Sequence, residues 1–126
     1  MRGLLDTSVV IASGVAQLPD EAAVSAATLA ELHFGVHLAA DEAARLARIR
    51  RLTEIESRFD PLPIDAAVAR AYGALAYLVV RAGRRPRRRA FDLLIAATAQ
   101  VHRVPLYTRD ADDFAGLEDQ VELHVV

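Results

Sequence analysis

The sequence contains no cysteine, which removes disulfide frameworks, zinc–thiolate sites and thiol nucleophiles from consideration and suits a reducing cytosol. Lysine is missing too, so all 15 basic side chains are arginine. No apolar run approaches the ~20 residues of a membrane-spanning helix. Asp6 interrupts the first apolar stretch too early for a secretory signal, so a cytoplasmic protein with no membrane role is expected. No G-x-G-x-x-G follows that stretch, which leaves a dinucleotide site without support. A helix-turn-helix signature, internal repeats and linkers are lacking as well.

What is present describes one folded domain spanning residues 1–126, long enough to bury a core without staples. With 53% apolar and 25% charged residues, the composition is that of a packed domain and not of a disordered chain. A net charge of −2 hides two poles. Arginines crowd positions 84–89, broken only by Pro86, while acids gather at Asp110, Asp112, Asp113, Glu118, Asp119 and Glu122. Such a chain suits a polyanion on one patch and cations on another.

The hydrophobic pattern predicts a strand over 2–6, a short helix from Val9 to near Gly14, a loop over 17–21 and a small-residue strand over 22–25. Helices follow from Thr28 and over 41–57, and Pro61 and Pro63 enforce an extended stretch over 59–64. Asp65 is a plausible N-cap for an alanine-rich helix reaching Arg81, and Gly83 ends it. The helix over 90–102 is apolar on nearly every side and so should be buried. A strand over 105–107, a helical turn over 111–114 and a last strand over 121–126 complete the chain. Strands alternating with helices predict an α/β fold, a mainly parallel central sheet flanked by helices on both faces.

On that layout four acids fall where strands finish and helices begin. Asp6 is at a strand tip, Glu31 in the first turn of the helix from Thr28, Asp92 in the first turn of the buried helix, and Asp110 just past another strand tip. In open α/β sheets that edge is where ligands bind. Plainer readings stand beside this one. Thr28-Leu29-Ala30-Glu31 is also a capping-box pattern, and Asp110 or Asp6 could simply cap the helices after them. Asp92, set among Phe91, Leu93, Leu94 and Ile95, is harder to explain in that way.

Leu5-Asp6-Thr7-Ser8-Val9, Thr28-Leu29-Ala30-Glu31-Leu32 with Gly35, Phe91-Asp92-Leu93-Leu94-Ile95-Ala96-Ala97-Thr98, and Leu106-Tyr107-Thr108-Arg109-Asp110 through Phe114 together resemble the motifs of PIN domains. They occur in order along nearly the whole chain, and the compact length resembles the VapC toxins of bacterial toxin–antitoxin pairs. The resemblance implies a PIN-like fold and an endoribonuclease dependent on Mg2+ or Mn2+. It also implies a homodimer, silenced by a cognate VapB-type antitoxin. Asp6, Glu31, Asp92 and Asp110 match the family's acidic quartet, and Asp113 matches a further, variable acidic position. Asp6 and Asp92 are then the core metal ligands, Asp110 completes the cluster, and Glu31 holds a second metal or orients water. Thr7, Ser8 and Thr108 are candidates to hold the carboxylates in place. Crowded carboxylates repel, so at least one should have a raised pKa, and metal should stabilise the fold.

Given an RNA substrate, Arg84, Arg85, Arg87, Arg88 and Arg89 could guide its backbone toward Asp92, although a solvated loop explains them as well. The alanine-rich helix, with Tyr72, Leu75, Tyr77 and Leu78, could supply a dimer interface or part of an antitoxin groove, or merely pack in the core. His33 and His37 have a zinc-compatible spacing but no evident third ligand. Two rival functions remain. A phosphatase of the haloacid dehalogenase type wants an aspartate two residues after the first, where this chain has Ser8. A catalytically silent binding module would be favoured by loss of an acid, yet all four are present.

Overall fold

The computed structural model describes residues 2–12 and 19–126; the first helix starts at Thr7 and already ends at Ile11, with Ala12 extended, earlier at both ends than the predicted span from Val9 to near Gly14, and the start of the loop over 17–21 lies outside the described residues. The strands are β1 (Arg2–Leu5), β2 (Glu21–Val24), β3 (Leu106–Thr108) and β4 (Leu123–Val125). The helices are α1 (Thr7–Ile11), α2 (Ala26–His37), α3 (Glu42–Arg58), α4 (Ala66–Arg81) and α5 (Ala90–His102), with 3-10 turns at Pro86–Arg89 and Ala111–Phe114. The four strands form one sheet in the order β2-β1-β3-β4, every neighbouring pair parallel.

That order places the topological switch at β1. The chain leaves β1 for β2 on one side and reaches β3 on the other only after α2 to α5. The crevice beyond the C-terminal ends of β1 and β3 is therefore the place where an α/β sheet of this kind opens to a ligand.

Alternation along β1 sends successive side chains to opposite faces. Leu4 packs with Leu106 into the larger core cluster, beneath Leu93, Ile95 and Ala96 of α5 and Val68, Leu75 and Val79 of α4. Leu5 turns the other way and joins Val9, Val24 and Tyr107, with Val10 and Phe59 packed against them. The sheet is thus covered on both faces. Gly3 lies on the second face, where a Cβ would come within 2.5 Å of the Tyr107 ring, so only glycine fits there. Helix α5 is buried along most of its length, as its unbroken apolar composition requires.

The prolines work as expected. Leu62, between Pro61 and Pro63, donates its N–H to Val24 O at 2.9 Å and accepts the Ala26 N–H at 2.9 Å, adding a bridge beside β2. Asp65 caps α4 by accepting the Val68 N–H at 3.0 Å. Gly83, at φ +78°, closes α4 with bonds from its own N–H to Val80 O and from the Arg84 N–H to Val79 O. That pair of bonds is a Schellman end. Helix α5 ends the same way, but Arg103 takes the left-handed position at φ 55°. Among the described residues no helix is long and apolar enough to cross a membrane.

Candidate active site

Asp6 follows the last residue of β1, and its own geometry starts α1. Its backbone is extended, and its carboxylate accepts the Val9 N–H at 3.1 Å, so Asp6 does cap the helix after it, as the plainer reading of the sequence had it. The side chain is only 2% exposed. Ser8 Oγ donates to Asp6 Oδ1 at 2.5 Å and accepts the Arg109 N–H at 3.1 Å. One hydroxyl therefore holds the carboxylate and also ties the tip of β1 to the loop after β3.

Glu31 arrives from α2. That helix begins two residues earlier than the periodicity predicts, with Ser25 as its N-cap accepting the Ala27 N–H at 3.0 Å. Thr28 is consequently inside the helix and fully buried, so Thr28 and Glu31 do not form a capping box, and Glu31 lies in the second turn. Its carboxylate is free to reach outward, where Thr7 Oγ1 donates to Oε1 at 2.6 Å. Asp6 and Glu31, on different elements, are thus held by adjacent hydroxyls of one short helix.

Asp92 occupies the first turn of α5, half-buried. Its carboxyl is pushed up to about 7, first by burial and then by the negative charges of Asp113, Glu31 and Asp6, against the opposing pull of Arg89. Three other acids therefore act on this one carboxyl through their charge. Asp113 is half-buried and also raised, by burial and then by Asp110, with Arg89 opposing. Among the described residues no N–H or hydroxyl donates to the carboxyl of Asp92 or Asp113.

Asp110 is exposed and spends an oxygen on the Asp112 N–H at 3.0 Å, capping the turn at Ala111–Phe114. Its charge acts on Asp113, whereas Asp113 acts on Asp92. Thr108 grips the loop backbone, its Oγ1 accepting the Asp110 N–H at 3.0 Å, and touches no carboxylate.

Residues 4–119 match the family model for the PIN domain. The chain belongs to the PIN-domain family. It is 37% identical over 130 residues to ribonuclease VapC5 of Mycobacterium tuberculosis H37Rv, a match covering 98% of this chain and 93% of that protein. The solved structure of VapBC-5, a VapBC toxin–antitoxin system of the same organism, superposes with a TM-score of 0.84 at 38% identity, over 99% of this chain and 97% of that one. FitAcB of Neisseria gonorrhoeae superposes at 0.77 with 29% identity, over 96% and 95% of the two chains.

In this PIN domain the donors around Asp92 fit a hard divalent cation, since all are carboxylate oxygens and their mutual repulsion is relieved by positive charge. Among the described residues no three acidic or histidine side chains close directly on one point.

Two arginines that the sequence leaves undistinguished on α3 flank this centre. Arg51 donates to Val10 O at 2.6 Å, and Arg48 donates to Gly35 O, pinning α3 against α1 and α2. With Thr7, Glu31, Leu32 and Leu52 they line an open cleft of about 410 Å³ that runs up to Glu31. Their spacing of three on a helix that packs on α2 is the signal by which they could have been found. The arginine-rich segment divides: Arg84, Arg85, Arg88 and Arg89 line one recess of about 200 Å³, and Arg87 is not part of it. His33 lies 3.6 Å from Glu56 on the exposed α2–α3 surface, away from the carboxylates.

Proposed function

We propose that this PIN domain is the toxin of a toxin–antitoxin pair, a cytoplasmic endoribonuclease that uses Mg2+ or Mn2+ and is silenced by a VapB-type antitoxin. The observation that carries it is the gathering of Asp6, Glu31 and Asp113 on the raised carboxyl of Asp92, at the switch point of the sheet. The ribonuclease name of the VapC5 relative and the toxin–antitoxin pairing of its structural neighbour support the activity and the partner.

Asp6 and Asp92 would be the core ligands, with Asp113 beside them, Asp110 completing the cluster from outside and Glu31 positioned to orient the attacking water. A cation held there supplies charge neutralisation at the scissile phosphate and lowers the pKa of a water. Ser8 and Thr7 keep the Asp6 and Glu31 carboxylates aimed, so little reorganisation remains when RNA arrives. Arg89 offsets part of the negative charge gathered on Asp92 and Asp113. The whole chain acts as one domain. Its homodimer would use the outer face of α4, where Tyr77 and Val80 are exposed while Leu75 and Val79 are buried in the core.

The test is cleavage of a structured RNA pool by purified protein with Mg2+ or Mn2+ and with chelator, beside Asp6→Ala and Asp92→Ala checked for folding by circular dichroism. Metal-dependent, site-specific cuts that vanish in both folded variants establish the nuclease. Cutting that survives both substitutions sinks the site assignment. Metal binding without any cutting points to a binding module.

A further inference from the structure

The segment between α4 and α5 is built to present charge. Gly83 reverses the chain at the end of α4, so Arg84 and Arg85 turn back beside the 3-10 turn at Pro86–Arg89. Arg85, extended just before the turn, and Arg88 within it line one recess, and Arg87 does not. The result is the recess of about 200 Å³ lined by Arg84, Arg85, Arg88 and Arg89 alone. At ~30 Å³ per water it has room for a tetrahedral oxyanion and several waters.

Among the described residues none of Arg84, Arg85 or Arg88 forms an ion pair, and all three are exposed. Arg89 differs, since it donates to Asp112 O at 2.7 Å and acts on both Asp92 and Asp113. It therefore belongs to the recess and to the carboxylate crevice at once, and the two are neighbours along a single path.

Resting on the ribonuclease reading above, we propose that this recess is a phosphate subsite, holding a backbone phosphate of the RNA one or more nucleotides away from the bond being cut. A polyanion with evenly repeated charges can place one phosphate in the recess and another at a cation held by the carboxylates. An acidic protein segment running along the same path would bring its carboxylates against Asp92 and Asp113, where they are repelled. Bidentate guanidinium contacts make arginine suited to the task. Arg87, in the same segment with the same charge, lies outside the subsite and supplies the internal control.

The experiment measures fluorescence anisotropy of a short labelled mixed-sequence RNA, with Mg2+, in the cleavage-silent Asp92→Asn background. Arg88→Ala should weaken binding by roughly tenfold and lower the slope of log K against log salt by about 0.7, the value for one single-strand phosphate. Arg87→Ala should change binding by less than about twofold and leave the slope unaltered. Equal losses from both variants would reduce the recess to diffuse charge and overturn the subsite. So would unchanged RNA binding by Arg88→Ala, including the case in which that variant instead loses affinity for a polyglutamate peptide. In the otherwise native protein, Arg88→Ala should raise KM for RNA and leave kcat within about twofold. If the native protein cleaves RNA and Arg88→Ala binds it normally, only the subsite fails; if the native protein neither binds nor cleaves RNA, the ribonuclease reading fails with it.

Discussion

The crevice holds two pairs of carboxylates under opposite regimes. Asp6 and Glu31 each accept a hydroxyl proton from α1, at 2.5 and 2.6 Å, and Asp6 also caps that helix. Asp92 and Asp113 receive no such donor among the described residues, and both carboxyls are raised. The first pair is fixed in advance by the protein. The second is left with its charge unmet, which is the condition a cation relieves. A cation bound here would take its direction from one pair and its driving force from the other.

The largest way to break that contrast is Asp92→Asn. Cleavage should fall by at least about 100-fold, more than second-layer changes at metal sites usually cost. The metal-free protein should melt higher at pH 8 than the native chain, because a repelled charge is gone. Calorimetry that finds the variant destabilised would mean Asp92 is not under repulsion. Next come the hydroxyls: Thr7→Val and Ser8→Ala should each cost roughly 10- to 100-fold in metal affinity or activity. Ser8→Ala should also lose about 1–2 kcal/mol of stability from its charge-assisted bond, measured by urea unfolding.

The pH dependence sharpens the contrast further. Asp92 moves from 3.8 in an unconstrained chain to about 7 in the fold, so the folded protein holds an extra proton between those values. Metal-free stability should therefore decline as pH rises from about 4 to 7 and level off above. Metal must displace that proton, so affinity for Mg2+ should drop by about tenfold per unit below pH 7, read from the metal-induced rise in Tm. The smallest effect separates the two loop acids. Asp113→Asn should weaken Mg2+ binding several-fold, while Asp110→Asn should change it by about twofold, since asparagine still caps the turn. A reversed order would return Asp110 to the crevice.

Much of this architecture is legible in the order of the residues alone. The buried helix Ala90–His102 and the turn Ala111–Phe114 fall where the pattern puts them, because an all-round apolar run and a capped turn leave few alternatives. The parallel sheet follows from alternation of strands and helices. The start of α2 is not legible: Ser25-Ala26-Ala27-Thr28 is made of small residues with no period, and either hydroxyl could cap. Only burial of Thr28 against the core decides it. That Asp113 rather than Asp110 is the loop acid whose charge acts on Asp92 is hidden for a similar reason, since spacing along a loop does not say which carboxylate couples to a helix across it. The edge strand β4 is shorter than its apolar run suggests, spanning Leu123–Val125 beside β3 alone.

The Ser8 bond to the Arg109 N–H joins positions 101 residues apart, and β1 lies between strands drawn from opposite ends of the chain. The chain reaches β3, the neighbour of β1, only after α1, β2 and α2 to α5. Pairings of such long separation close late. A nascent chain can complete β1–α1–β2 and its following helices, yet it has no closed crevice until the segment beyond residue 109 is free. A crevice wired in this way is a product of the finished fold: its carboxylates stand together only once the tip of β1 and the loop after β3 have met.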